Sequence, residues 1–410
     1  MEEFDSYTLE NGVTIIHKFV SHTKIAHCGF ILDVGSRDEL PDQQGIAHFW
    51  EHMAFKGTKK RKSFHIINRL EVVGGELNAY TTKEKICFYA SILDAHYEKA
   101  LELLKDITFD STFPNKEIEK EQSVILEEMS MYYDAPEEAI QDDFEQLIFQ
   151  NHPLGYNILG TAQSVKSFKK SNFEKFILEN VDTKRLVFSS IGNIPFSKVK
   201  KLCEKHFASI PIFNSNKKRE PFKIYIPKKE IISRSVSQAH CVIGGPAYAL
   251  KDEKRLKFFM LMNILGGPGM NSRLNLALRE KYGFVYNIEA SYTPFIDTGM
   301  MSIYFGTEKK QLERSIGLIY KELRKLRDVS LGTSQLHSSK VQLMGQLAMA
   351  EESNINFMQM MAKSILDLGY IDTLEEIFEK INNITAKQLQ EVAKEMFIED
   401  QFSVLSYISD

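Results

Sequence analysis

An internal repeat sets the architecture of this chain. The triplet Ala26-His27-Cys28 recurs about 213 positions later as Ala239-His240-Cys241, and each copy leads an apolar stretch that ends in an acidic, polar turn. At the same spacing, the apolar run from Cys87 to Leu93 aligns approximately with the run from Met300 to Gly306. Two copies of one structural unit, of about 200 residues each, are therefore expected.

The length and the linker agree with a duplicated architecture. A chain of 410 residues is too long for one typical core. The stretch between Ile210 and Ile231 is polar, basic and interrupted by prolines, which is typical of a linker. We predict a first domain over 1–210, a linker over 211–230 and a homologous second domain over 231–410. The fold class expected is α+β, with an antiparallel or mixed sheet flanked by helices in each domain.

Composition disfavours several classes of function. The net charge of -4 gives no reason to expect nucleic acid or an anionic membrane as a partner. No apolar window is long enough to cross a bilayer, and the acidic start Met1-Glu2-Glu3-Phe4-Asp5 does not look like a secretory signal. The four cysteines are scattered and form no Cys-x-x-Cys pair, so we expect buried free thiols and a cytoplasmic protein.

One short stretch of the first copy carries metal-binding chemistry. On a helix, the side chains of His48, Glu51 and His52 project from the same face. Two imidazoles one turn apart can bind a zinc ion, and the carboxylate between them can hold a water beside it. The order His-x-x-Glu-His is one of the known catalytic zinc motifs. A polar helix face produces the same spacing by chance, so the motif alone leaves both interpretations open. The second copy lacks the motif.

A catalytic zinc site needs a third protein ligand. The candidate is Glu128, on a predicted helix that also carries Glu121 two turns earlier on the same face. The stripe predicted to be buried on this helix consists of Ile118, Val124, Ile125 and Met129. A solvated acidic helix is the alternative, and composition does not choose between the two.

Three stretches of the sequence together resemble the pitrilysin/insulinase family of zinc metallopeptidases. They are His48 to Thr58, Gly74 to Thr81 and Val124 to Met129. The similarity is nearest to the beta-subunit group of the mitochondrial processing peptidases and their bacterial relatives, and it covers essentially the whole chain. The resemblance implies one zinc ion per chain, bound by His48, His52 and Glu128. It also implies that Glu121 supports these ligands without touching the metal.

The resemblance further implies a zinc metalloendopeptidase. Glu51 is then the general base and a zinc-bound water is the nucleophile. Substrates are expected to be short unstructured peptides or flexible precursor segments, enclosed in a chamber. The extended stretch Asn78-Ala79-Tyr80-Thr81 offers a strand edge to which a peptide can add as a further strand.

The second copy carries a glycine-rich segment, Gly266-Gly267-Pro268-Gly269, followed by Arg279 and Tyr286. The segment lacks the Gly-Lys-Ser/Thr ending of a phosphate-binding loop, which disfavours a nucleotide. By resemblance to the family, Arg279 and Tyr286 hold the substrate from the half that lacks metal. A helix-surface arginine and a core tyrosine are the ordinary alternative.

Family members build their chamber from four such repeats, whereas this chain has two. We therefore expect a homodimer. Two other interpretations stay open: a non-catalytic peptide-binding or structural subunit, and a catalytic subunit that needs a distinct inactive partner. The chain also departs from the usual family pattern, with Trp50 in place of leucine and Phe88 in place of tyrosine, and the lost hydroxyl is expected to alter substrate preference.

Overall fold

The computed structural model describes residues 4–409, which form two compact units. The first unit contains the chain up to Met129 together with residues 156–219 and 349–371. The second contains residues 130–155, 220–348 and the chain from Asp372 onward. The division between 219 and 220 falls inside the predicted linker, and the next strand begins only at Lys229.

The first half of the sequence forms six strands and eight α-helices within the described residues. Their bounds are β1 (Asp5–Thr8), β2 (Thr14–Phe19), β3 (Ile25–Leu32), α1 (Ile46–Ala54), α2 (Ser63–Glu71), β4 (Glu76–Thr81), β5 (Ile86–Leu93), α3 (Tyr97–Phe109), α4 (Asn115–Asp134), α5 (Pro136–Ile148), α6 (Ala162–Ser167), α7 (Lys170–Asn180), β6 (Leu186–Gly192) and α8 (Phe196–Phe207).

The second half forms five strands and six α-helices within the described residues. Their bounds are β7 (Lys229–Ser233), β8 (Ala239–Ala247), α9 (Arg255–Gly266), β9 (Val285–Pro294), β10 (Gly299–Thr307), α10 (Leu312–Asp328), α11 (Thr333–Glu351), α12 (Asn354–Leu368), α13 (Leu374–Asn382), α14 (Ala386–Met396) and β11 (Ser403–Ile408). A π-helical segment, Asn275–Glu280, precedes β9.

The two sheets have the same topology. The first unit has the strand order β1-β2-β6-β3-β5-β4, and the second has β7-β11-β8-β10-β9. Apart from β1, the strands correspond one to one, and among the described strands only β2 with β6 and β7 with β11 pair in parallel. The repeated cysteines even occupy matching places, since Cys28 lies opposite Ser190 and Cys241 lies opposite Ser406. The predicted α+β duplication is confirmed.

Each sheet is covered on one face by a helix from the other half of the sequence. Helix α5 packs on β8 and β11 in the second unit, where Phe144 and Ile148 join Tyr407 in one apolar cluster. Helix α12 packs on β3 and β6 in the first unit through Met358 and Met361. These two helices follow the corresponding helices α4 and α11 in the two repeats, so the exchange is reciprocal. The compact units therefore differ from the contiguous ranges 1–210 and 231–410 in these two segments.

Helix α1 lies almost wholly inside the first unit. Its apolar residues are buried, and Trp50 is only 1% exposed. The indole packs against Phe88 and Phe176, with ring centroids 5.9 and 6.4 Å away. Because Phe88 is fully buried under Trp50, the two departures from the family pattern belong to one packing arrangement, and the expected effect of Phe88 on substrate preference has no support here.

The helices and the cysteines bear on two further predictions from the sequence. Within residues 4–409, none of the helices combines the length and the apolar character that crossing a bilayer requires. Cys28, Cys87, Cys203 and Cys241 are all buried and free, as predicted.

Candidate metal centre

Helix α1 presents three polar side chains from its one accessible face. His48 is buried with 8% of its surface exposed, and Glu51 and His52 are half-buried. The spacing of three and four residues places them on one side of the helix, while the rest of α1 is held in the core. Packing of α1 therefore fixes where these groups point.

Glu128, from helix α4, completes a set of three metal-binding groups. Its carboxylate oxygens lie 3.8 Å from Nε2 of His48 and 3.5 Å from Nε2 of His52. Bond lengths near 2.1 Å in a tetrahedral zinc site place neighbouring donor atoms roughly 3.4 Å apart. The three ligand atoms all lie within 4.8 Å of one another, so the donor set and its spacing fit zinc.

Glu121 orients one of the two imidazoles. Nδ1 of His52 donates a hydrogen bond of 3.1 Å to the Glu121 carboxylate, which also pairs with Lys56 at 2.7 Å. Burial alone raises the pKa of Glu121, but the hydrogen bonds from His52 and Lys56 outweigh it and bring the pKa below its usual value. Because Nδ1 carries the proton, the lone pair on Nε2 of His52 is free to bind a metal ion, on the side of the ring where Glu128 lies.

His48 is held by its surroundings. Burial, with a smaller contribution from the charge of His52, lowers the pKa of His48 to about 3. The imidazole is therefore neutral, as metal binding requires. Among the described residues, its Nδ1 atom has no hydrogen-bond partner.

Glu51 is positioned by Thr81, and the sequence did not predict this contact. The hydroxyl of Thr81, at the end of β4, donates a hydrogen bond of 2.7 Å to Oε2 of Glu51. Burial raises the pKa of Glu51, and the charge of Glu128 adds to this, while Thr81 and His52 oppose it. Thr81 is the last residue of the stretch from Asn78 that was predicted as a strand edge, and it was expected there to pair with substrate and not with Glu51.

The predicted strand edge lies beside the metal centre. Strand β4 is the outer strand of its sheet, and within the described residues it pairs only with β5. Asn78 is exposed, whereas Ala79 packs on the core that contains α1 and Tyr80 packs on the opposite face. The main chain of β4 therefore has an outer edge close to Glu51.

Arg279 and Tyr286 lie together in the second unit. Arg279 is on the π-helical segment and Tyr286 is at the start of β9, and the guanidinium carbon lies 5.6 Å from the centre of the tyrosine ring. Tyr286 is 85% exposed, so it is not the core residue that the ordinary alternative assumed. The metal-binding groups belong to the first unit and this pair to the second.

One part of the predicted α4 stripe is wrong. Ile118 and Ile125 are buried and Met129 packs on the core, but Val124 is 47% exposed. Because residues 118, 125 and 129 already fill the face toward the core, the helical rotation turns position 124 outward.

Two family models match consecutive parts of the chain. Residues 15–162 match the model described as insulinase (peptidase family M16), and residues 167–340 match the one described as the peptidase M16 inactive domain. This chain belongs to the insulinase family of peptidases, family M16.

Relatives and solved structures extend over the whole chain. An uncharacterised zinc protease of Bacillus subtilis is 34% identical over 96% of both chains. Another, from Rickettsia bellii, is 32% identical over 97% of this chain and 95% of its own. A protease from Helicobacter pylori has the same fold, with a TM-score of 0.90 at 21% identity and full coverage of both chains. The chain is thus similar throughout to proteins named zinc proteases.

Proposed function

We propose that this chain is a zinc-dependent endopeptidase that hydrolyses short unstructured peptides or flexible precursor segments. The observation that carries the proposal is the convergence of His48, His52 and Glu128 at the spacing of a zinc site, with Glu51 beside them. Membership in a peptidase family and the names of the relatives support it.

The groups at the metal centre have separate chemical roles. When bound here, zinc supplies a Lewis acid for the scissile carbonyl and lowers the pKa of a water. Thr81 holds Oε2 of Glu51, which leaves Oε1 to take a proton from an attacking water and to return it to the leaving amine. Burial raises the pKa of Glu51, which makes its carboxylate a stronger base than that of an exposed glutamate.

The outer edge of β4 provides a way to hold an extended peptide next to Glu51. Main-chain N–H and C=O groups on an edge strand pair with any extended chain, largely independent of its side chains. A folded protein does not present such a chain. Unstructured peptides are therefore the substrate class that this edge favours.

We propose further that the protein acts as a homodimer, with Arg279 and Tyr286 contacting substrate held at the metal centre of the partner subunit. An exposed tyrosine next to an arginine is well suited to hold a peptide, since the guanidinium donates to carbonyls and the hydroxyl can stabilise an oxyanion. Sedimentation at assay concentration tests this, and an active monomer would contradict it.

Cleavage of a quenched library of unstructured peptides tests the endopeptidase proposal. The zinc-loaded wild type is expected to cut, and Glu51→Gln is expected to lose roughly 10²- to 10⁴-fold in rate without losing zinc. Glu71→Gln, which changes an exposed glutamate of α2, is the matched control and is expected to cut normally. If the wild type and both variants hold stoichiometric zinc and none cuts, the chain is a non-catalytic subunit or lacks a partner.

A further inference from the structure

We propose that Glu39 is a positioning residue of the metal centre, because its carboxylate caps helix α1 and thereby fixes how the helix presents His48, Glu51 and His52. This inference rests on the proposed zinc peptidase function. Glu39 precedes the helix by several residues and belongs to none of the motifs identified in the sequence.

The carboxylate of Glu39 binds the first turn of α1 with both oxygens. Oε2 accepts a hydrogen bond of 2.9 Å from the N–H of Gly45, and Oε1 accepts one of 2.9 Å from the N–H of Ala47. The first N–H groups of a helix have no partner within it and need one from outside. The second bond holds the residue directly before His48.

The helix has no cap of its own. Gly45 is the residue at its N-terminal boundary, it has no side chain, and no residue of the first turn is acidic. Its φ of +91° favours glycine, and a Cβ atom there would lie only 2.5 Å from the carbonyl oxygen of Leu159. The usual capping residues are excluded from this position, so a side chain from elsewhere has to supply the acceptor.

Glu39 is itself rigidly held. The side chain is buried, with 3% of the residue exposed, and both carboxylate oxygens are hydrogen-bonded. The two residues directly before Glu39 are held by ion pairs. Arg37 pairs with Glu84 at 2.6 Å, and Asp38 pairs with Arg219 at 2.7 Å. Because this carboxylate can move so little, its hydrogen bonds hold the first turn of α1 in a fixed position relative to the loop.

A capping residue that only stabilises the fold and one that positions ligands differ in what they control. Loss of a stabilising cap lowers the unfolding temperature but leaves the metal site of the folded protein unchanged. Loss of a positioning cap also lets the first turn move, and His48 lies in that turn. Metal affinity and ligand geometry in the folded protein therefore distinguish the two.

The test compares Glu39→Gln and Glu39→Ala in the full chain with a matched control. Thr373→Ala removes the cap of α13 in the second unit, where the Thr373 hydroxyl accepts from the N–H of Glu376. Zinc affinity is measured by competition with a chromophoric chelator, and the visible spectrum of the cobalt-loaded protein reports ligand geometry. All measurements are made at a temperature where circular dichroism shows the variants folded.

Glu39→Gln is expected to weaken zinc affinity roughly tenfold and to change the cobalt spectrum, and Glu39→Ala is expected to do more. Thr373→Ala is expected to keep zinc affinity within about twofold of the wild type even though it unfolds at a lower temperature. Unchanged affinity and spectrum in both Glu39 variants would overturn the proposal. If Glu39→Ala does not fold, Glu39→Gln decides, and failure of both to fold would show a purely structural role. A wild type that binds no zinc would instead refute the proposed function.

Discussion

The two imidazoles of the metal centre are held in different ways. His52 has a hydrogen-bonded partner in Glu121, which Lys56 fixes in turn. His48 depends on burial, and its Nδ1 atom has no hydrogen-bond partner within residues 4–409. Glu121 is therefore the residue whose substitution releases the His52 ring directly.

Replacing Glu121 by glutamine should weaken zinc binding by roughly 10- to 100-fold, because the neutral amide no longer orients His52 or favours electron density on its Nε2 atom. Chelator competition measures the change. Glu119→Gln, which alters an exposed glutamate on the same helix, is the control and should bind zinc as the wild type does. Equal zinc affinities in the two variants would show that Glu121 has no influence on the site.

Thr81→Val should lower kcat roughly 10- to 100-fold at unchanged zinc content, since the loss of a hydrogen bond to a charged group costs about 1.5–3 kcal/mol. Valine keeps the branched shape that suits strand β4. Thr81→Ser retains the hydroxyl and should keep most of the activity. Steady-state kinetics together with metal analysis decide the matter, and a fully active Thr81→Val variant would exclude a role for this hydrogen bond.

The residues that could be predicted from the sequence are those that form an unusual local pattern. The residues that could not be predicted make their contacts with parts of the chain that only the fold brings close. His48, Glu51 and His52 stand out because three polar side chains share one helical face. Thr81 looks like any strand threonine, and its contact with Glu51 joins a strand to a helix far away in sequence. Glu39 is hidden for a similar reason, because an acidic residue in a loop is ordinary until the helix start that it caps is known.

Among the elements, the loop before α1 is held by a buried network of charges. Asp33 pairs with Lys85 at 2.8 Å, with Arg219 at 3.0 Å and with Arg185, and Lys85 also pairs with Asp367 of α12. Burial raises the pKa of Asp33, but the charges of Arg219, Lys85 and Arg185 outweigh it and lower the pKa to about 2. The network connects the loop, the strand β5 region and α12 within the first unit.

Because of this network, the free energy of unfolding should depend on pH in the acidic range. Because the folded pKa of Asp33 lies below its unfolded value, its contribution is complete above about pH 4 and is lost as the pH falls toward 2, by about 2 kcal/mol in all. Urea unfolding at pH 7 and pH 3 measures it. Asp33→Asn should be less stable at pH 7 and lose part of this pH dependence, whereas Asp42→Asn, at an exposed aspartate nearby, should match the wild type. Parallel pH profiles for wild type and Asp33→Asn would contradict the prediction.

Some strands could be predicted from local patterns, but the partner of each helix could not. The apolar runs from Cys87 to Leu93 and from Met300 to Gly306 both lie within strands, β5 and β10. The apolar faces of α5 and α12 show that both helices are buried against something. No local sequence pattern shows that each helix covers the sheet of the other half, because any apolar surface can bury an apolar helix face equally well.

For the whole molecule, mixing two inactive variants tests whether subunits share a site. Glu51→Gln lacks the base and Arg279→Ala lacks the substrate contact, so each alone should be nearly inactive. If Arg279 serves the partner subunit, randomly re-formed mixed dimers should recover about one quarter of wild-type activity, since about half the dimers are mixed and each holds one complete centre. Activity after joint denaturation and refolding is the measurement. No recovery, with mixed dimers demonstrated by differential tagging, would place Arg279 in its own subunit or outside the site.

The reciprocal exchange of α5 and α12 affects how the protein is made. When the ribosome has finished the strands of the first sheet, the helix that covers one of its faces is still more than 150 residues from synthesis. The nascent first half therefore waits with apolar strand surface uncovered, a state that invites a chaperone. For the same reason, a protease that cuts the linker does not release two self-sufficient pieces, because each fragment keeps a helix that the other one needs.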